Sequence, residues 1–204
     1  TASNAEDFTV MNGEVRKIVE DYNFGAVIYF AQNLKATEQA FTLTQEFQKA
    51  ATKNGGIGML IAADQEGGSV YRLGTGTALP GNMALGATYA TNGTKYAEEA
   101  GKIIGSELRA LGINTNLAPV VDVNNNPNNP VIGLRSFSDD ATVVGELAGA
   151  YIDGLGVHNV IGTAKHFPGH GDTATDSHYG LPLVDKPLSL LKNNELKPYE
   201  ILIK

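Results

Sequence analysis

The stretch AVIYFAQNLKATEQAFTLTQEFQKAATKNGGIGMLIA, residues 26–62, decides the fold. It opens on a β-branched and aromatic run at 26–30, places Ala40, Leu43, Phe47 and Ala50 at helical spacing within 37–53, and closes on a second apolar run at 57–62. Apolar residues three and four apart mark one face of a helix, whereas short apolar runs bounded by glycine mark buried strands. The stretch therefore reads as strand, helix, strand, and a helix of that length between two strands returns the chain to a parallel neighbour.

The same alternation continues outward. An opening helix starts near Asn12. A helix over 95–111 is expected to bury Tyr96, Ala100, Ile103, Ile104, Leu108 and Leu111 on one stripe. Residues 113–121 read as a strand running into a loop, residues 140–155 as a helix with Ser138, Asp139 or Asp140 as its N-cap, and 160–164 as a fourth strand. Pro187 stands near the first turn of a final helix ending close to Lys204. Alternating strands and helices give an α/β fold. The class read from it is a (β/α)₈ TIM-barrel type, present as an incomplete barrel of about four βα units, since a barrel needs eight strands and roughly 250 residues. An open doubly wound sheet is the competing architecture, and periodicity alone does not separate the two.

Composition narrows the function. The chain has 204 residues, 42% of them apolar, enough for one domain with a real core. Its 15 basic and 22 acidic residues leave a net charge of −7 with no basic block, so a nucleic-acid partner is not expected. Cysteine is absent, which removes disulfides and thiolate metal sites without fixing the compartment. There is no apolar run of membrane-spanning length and no signal-peptide pattern at the start, and the sequon Asn92-Gly93-Thr94 is a common chance match.

Three long strand-to-helix loops, 64–94, 122–138 and 165–186, collect charged and aromatic residues on one rim, which is where both architectures bind ligands. The densest string, KHFPGHGDTATDSH at 165–178, holds three of the four histidines. Its glycines, proline and threonines fold it back as a loop. Asp176 and His178, two apart, are then a general acid/base dyad: the carboxylate takes one ring proton and leaves the other nitrogen free to exchange. Two other readings are weighed against this, solvated surface histidines and a metal site. His166 and His170 are four apart, but Pro168 and Gly169 between them prevent the shared helix face of a zinc motif, so no metal and no cofactor are expected. In DQEGGSVYRL, 64–73, Asp64 stands at the rim and Arg72 offers a planar donor fork, arranged to take neighbouring sugar hydroxyls; an acidic helix N-cap is the plainer reading. The glycine-rich GTGTALPG at 74–81 fails as a phosphate loop because Leu79 stands where the third glycine belongs. In APVVDVNNNPNNPVIGLRSF, 118–137, the asparagine run reads as a stiff spacer that ends on Arg135.

The strings DQEGG-x-V-x-RL, GLRSF and KHFPGHGDT-x-x-DSH, in this order, resemble glycoside hydrolase family 3, in its bacterial β-N-acetylglucosaminidase branch. The resemblance covers nearly the whole chain. It implies that residues 1–204 are a partial N-terminal catalytic barrel domain lacking the first and last strands, which the remainder of its own barrel or another chain completes. It implies a retaining exo-β-N-acetylglucosaminidase that removes terminal β-linked GlcNAc from peptidoglycan or chitin-type fragments. Asp64, Arg72, Arg135, Lys165 and His166 would bind the sugar, and His178, polarised by Asp176, would be the acid/base. The nucleophilic aspartate would lie beyond Lys204, so the fragment alone is expected to be inactive. A GlcNAc-releasing phosphorylase and an inactive sugar-binding module are the alternatives. The phosphorylase follows from charge: an imidazolium that gives up its proton becomes neutral and repels phosphate less than a carboxylate would. The cellular address stays open, with a secreted or cell-envelope location slightly favoured over a cytoplasmic one.

Overall fold

In a computed structural model, which describes residues 7–176 and 178–204, four parallel strands form one sheet. They are β1 (Ala26–Tyr29), β2 (Leu60–Ala63), β3 (Thr115–Asn116) and β4 (Ile161–Gly162). Register pairs Ala26 with Leu60, Ala62 with Thr115, and Thr115 with Ile161. Their spatial order is β1-β2-β3-β4. A doubly wound sheet reverses its strand order at a switch point, whereas barrel staves follow one another in sequence. The strict succession is therefore that of a TIM-type barrel wall.

Among the described residues eight α-helices accompany the sheet, four of them close to where the sequence expects one. They are α1 (Gly13–Tyr22), α2 (Thr37–Thr52), α3 (Asn82–Ala87), α4 (Tyr89–Asn92), α5 (Lys95–Ala110), α6 (Ala141–Gly156), α7 (Leu188–Asn193) and α8 (Lys197–Leu202). Asn12 caps α1 by accepting from the Val15 N–H at 2.8 Å, and Asp140 caps α6 by accepting from Thr142 and Val143. Ala40, Leu43, Phe47 and Ala50 of α2 are all buried in the core, Phe47 beside Tyr29 of β1.

Several expectations are corrected. β2 starts at Leu60 and not at Ile57, which is 90% exposed; the Gln48 side-chain amide occupies both backbone groups of Met59 (2.9 Å each), so the ladder begins one residue later. The strand expected over 113–121 is regular for two residues only. Pro119 has no N–H to give, and pairing resumes beyond it through a bridge from Val120 to Lys165. The loop 64–94 contains two short helices, α3 and α4. The single final helix is two, because Pro198 in the first turn of α8 cannot donate back to Asn194, and Glu195 turns inward at the break.

On α5 the buried face is centred on small residues. Ala97, Ala100, Gly101, Ile104, Gly105 and Leu108 are buried, while Tyr96 and Ile103, expected inside, are 43% and 36% exposed. The reason is close approach of α6. A Cβ on Gly101 would lie 2.2 Å from the Tyr151 carbonyl oxygen, and one on Gly154 would lie 2.3 Å from that of Glu98. Glycine to alanine inside a helix normally gains about 1 kcal/mol. Gly101→Ala is expected to reverse that sign, costing about 1–3 kcal/mol through overpacking against backbone; an unchanged or raised midpoint in thermal melting of the full-length protein would contradict it.

Candidate active site

The carboxyl ends of the strands bring the polar loops together. Asp64 follows β2 directly, Asp122 and Arg135 lie on the connection after β3, and Lys165 and His166 follow β4. The turn after β2 is shaped by buried Gln65, whose Oε1 accepts from the backbone N–H groups of Arg72 (2.8 Å) and Leu73 (3.1 Å). Gly68, at φ +60°, sits where a Cβ would come within 3.1 Å of the Gly81 Cα, the close backbone approach that the glycine pair permits.

Around this turn runs a network of opposite charges. Lys165 Nζ lies 2.7 Å from Asp64 Oδ1 and 2.7 Å from Glu66 Oε1. Arg135 engages Glu66 with a two-pronged grip, Nε to Oε2 at 2.9 Å and Nη2 to Oε1 at 2.8 Å. Arg72 stands further off, 3.8 Å from Asp64 Oδ2. Burial pushes the Arg135 guanidinium down, but the hydrogen bonds and charge of Glu66 outweigh it and hold the group above its ordinary value.

Asp122, almost fully buried, organises the histidine end. Its Oδ2 lies 2.6 Å from His166 Nδ1, and its Oδ1 accepts from the His166 N–H (3.3 Å) and the His170 N–H (2.6 Å). Arg135 Nη2 lies 3.3 Å from His166 Nε2. A guanidinium only donates, so this contact requires a lone pair on Nε2 and puts the ring proton on Nδ1, facing Asp122. The two neighbours thus select one tautomer of His166.

Asp176 and His178 meet as the spacing indicates, His178 Nδ1 lying 2.6 Å from Asp176 Oδ1, which also accepts the His178 backbone N–H at 2.9 Å. Those two contacts, the backbone one first, hold the Asp176 carboxyl below its usual range. Ser177 between them lies outside the described residues. The His178 side chain is 75% exposed, so its Nε2 side is open to an incoming group.

The structure therefore gathers Asp64, Arg72, Arg135, Lys165 and His166 into one rim cluster and pairs Asp176 with His178 on the loop that continues from it. Glu66 and Asp122 belong to the cluster as much as any of these, and sequence reasoning passed over both. Glu66 is two residues beyond Asp64, the spacing that returns an extended chain to the same side, and Asp122 is the first acid after the apolar run 118–121. The asparagine run is also more than a spacer. Asn129 Nδ2 lies within 2.8 to 3.1 Å of the carbonyls of His170, Gly171 and Thr173, and its Oδ1 accepts from Val131 and Ile132. Among the described residues no group of three or more His, Asp or Glu side chains is arranged to hold a metal ion, and no helix is long and apolar enough to cross a membrane.

Residues 5–204 match the family model "Glycosyl hydrolase family 3 N terminal domain". Beta-hexosaminidase A of Pseudoalteromonas piscicida is 44% identical over 96% of the chain, and the beta-hexosaminidase of Bordetella pertussis 34% over 94%. The chain spans 33% and 54% of those two relatives' lengths. A family 3 beta-N-acetylglucosaminidase from Paenibacillus sp. str. FPU-7 superposes with a TM-score of 0.89 at 46% identity, over 94% of this chain and 36% of that one. NagZ from Neisseria gonorrhoeae, in complex with N-trifluoroacetyl-D-glucosamine, superposes with a TM-score of 0.87 at 34% identity, over 96% of this chain and 58% of that one. With the strand succession, the ion-paired rim and these likenesses agreeing, the chain belongs to glycoside hydrolase family 3, in its N-terminal domain.

Proposed function

We propose that this chain carries the sugar-binding and acid/base parts of a retaining exo-β-N-acetylglucosaminidase that releases terminal β-linked GlcNAc from peptidoglycan or chitin-type fragments. The observation that carries the reading is the continuity of the two sites: one loop leads from Lys165 and His166, inside the ion-paired rim, to the His178–Asp176 pair. The relatives named beta-hexosaminidase, and the NagZ complex with a glucosamine derivative, support the same substrate class.

In this reading Asp64 accepts from sugar hydroxyls, Lys165 and Arg72 donate to the sugar oxygens, and Arg135 with His166 completes the pocket wall. His178 Nε2 gives its proton to the glycosidic oxygen as the bond from that oxygen to C1 breaks, while Asp176 keeps the Nδ1 proton in place. A carboxylate attacks C1, and water then resolves the glycosyl-enzyme, with His178 taking the water proton. The rim carboxylates Asp64, Glu66 and Asp122 are all held by cations or histidines. This reading assigns the attacking carboxylate to none of the three but to the part of the relatives' length that this chain does not span, the remainder of the barrel. That remainder would also cover Ile28, Leu60 and Ile161, strand residues 46–54% exposed here. A secreted or cell-envelope address, favoured over a cytoplasmic one, is part of the same proposal.

Two measurements test the reading. The full-length protein is expected to release GlcNAc from a β-linked chitobiose with the β-anomer appearing first by proton NMR; first appearance of the α-anomer, or no release, would sink it. Residues 1–204 alone are expected to give no turnover of a nitrophenyl β-GlcNAc, and turnover would mean that the nucleophile lies within them.

A further inference from the structure

The dyad sits on a segment with little else to hold it. The first part of the histidine loop is fastened by Asp122 and Asn129, which bind the backbone from His166 to Thr173. Beyond it, Asp176 and His178 lie in a stretch without helix or strand, and residues 178–181 are exposed. Asp172 and Lys186 bracket this stretch, and Lys186 Nζ lies 2.6 Å from Asp172 Oδ2. The same ammonium lies 2.6 Å from Oε1 of Glu195, a buried residue in the break between α7 and α8. Glu195 Oε1 also accepts from Asn125 Nδ2 at 3.0 Å, in the asparagine-rich loop. The Glu195 side chain packs against Gly169, where a Cβ would come within 2.7 Å of its own Cβ.

We infer that Lys186 is a positioning residue for the acid/base: by joining Asp172 to Glu195 it closes the neck of the loop that carries Asp176 and His178, and fixes that neck to the body of the domain. Closing both ends of a loop lowers the number of places its residues can visit, and proton transfer demands placement to within a fraction of an ångström. The electrostatics agree. Burial pulls Lys186 down, yet its hydrogen bonds to Asp172 and Glu195 hold it above its ordinary value; burial pushes Glu195 up, yet the Lys186 hydrogen bond holds it below. Without the ammonium, two carboxylates would face each other across the neck and part.

The inference rests on His178 being the acid/base, and the test separates the two. In the full-length protein, kcat/KM is measured for an activated nitrophenyl β-GlcNAc and for a poor-leaving-group substrate, chitobiose, in the parent, H178A, K186M, K186R and D172N. K186M is expected to lose on the order of 10²-fold on chitobiose and far less on the activated substrate, because only the former depends on a well-placed proton. K186R, which can still span both carboxylates, is expected to restore most of the loss, a recovery that a merely structural role for the aliphatic stem would not give. D172N, which leaves the part-buried Lys186–Glu195 pair intact, is expected to show the same selectivity with smaller size, and decides the matter if K186M does not fold. Losses equal on both substrates, or none, in K186M and D172N while H178A remains selective would overturn the neck assignment alone. If H178A itself shows no leaving-group dependence, the functional reading falls and this one with it.

Discussion

Replacing His178 with alanine in the full-length protein is expected to slow cleavage of poor leaving groups by on the order of 10² to 10⁴, with a much smaller effect on nitrophenyl substrates. The asymmetry follows from where the proton is needed. An alkoxide leaving group is too basic to depart unprotonated, whereas a nitrophenolate leaves without help. In the proposed mechanism Asp176 prepares the histidine: its carboxylate, 2.6 Å from Nδ1, holds one ring proton and leaves Nε2 to serve the glycosidic oxygen. Its depressed pKa sets the sign of the pH dependence. A carboxylate held below its ordinary value keeps its pairing with His178 throughout the range above about pH 4, the ordinary carboxylate value, and loses it only as pH falls through the lower folded value. Asp176 therefore stays anionic wherever the enzyme is assayed near neutrality. Brønsted plots of kcat/KM against leaving-group pKa for the parent and H178A provide the measurement. Parallel plots for the two would remove the acid role from His178.

The second large effect is on stability. Glu66→Ala is expected to cost about 3–5 kcal/mol, because it leaves two part-buried cations without their shared counter-charge. The Glu66 side chain is 2% exposed, and its carboxylate meets Arg135 twice and Lys165 once. Removing one partner of such a group costs far more than the net worth of the contact, since the cations left behind can recover neither water nor an anion fully. For a protein of 150 residues or more this corresponds to a fall of roughly 10 °C in the melting temperature. Glu66→Gln, which keeps the shape and one acceptor oxygen, is expected to lose less stability but to weaken sugar binding, because Lys165 and Arg135 would no longer be held against one anion. Calorimetry of the full-length protein decides it: a melting temperature within a degree or two of the parent would show that water or Asp64 compensates, and Glu66 would then be no keystone of the rim.

The two substitutions address residues that differ in legibility. His178 and Asp176 stand in a loop whose composition announces itself, with three of the protein's four histidines within 14 residues. Glu66 hides inside the string that names Asp64 and Arg72, and Asp122 hides at the end of an apolar run. Their importance comes from partners 69 and 44 positions away, Arg135 and His166. Asn129 likewise reads as filler until the histidine loop folds over it and offers three carbonyls to its amide.

By itself the sequence determined what depends on short-range pattern: the alternation of strand and helix, a helix start near Asn12, an N-cap within 138–140, the buried face of α2, and the strings that mark the rim. Those features rest on periods of two and 3.6 residues and on local backbone preferences, which every window of the chain displays. Only the tertiary structure decided the strand succession that separates barrel from doubly wound sheet, the rotation of α5 that turned Tyr96 and Ile103 outward, and the break at Glu195. It alone paired Lys165 with Glu66 and Arg135 with His166. Electrostatic and packing partners are chosen by distance in space, and loops of 17 to 31 residues between regular elements leave that distance open until the core closes.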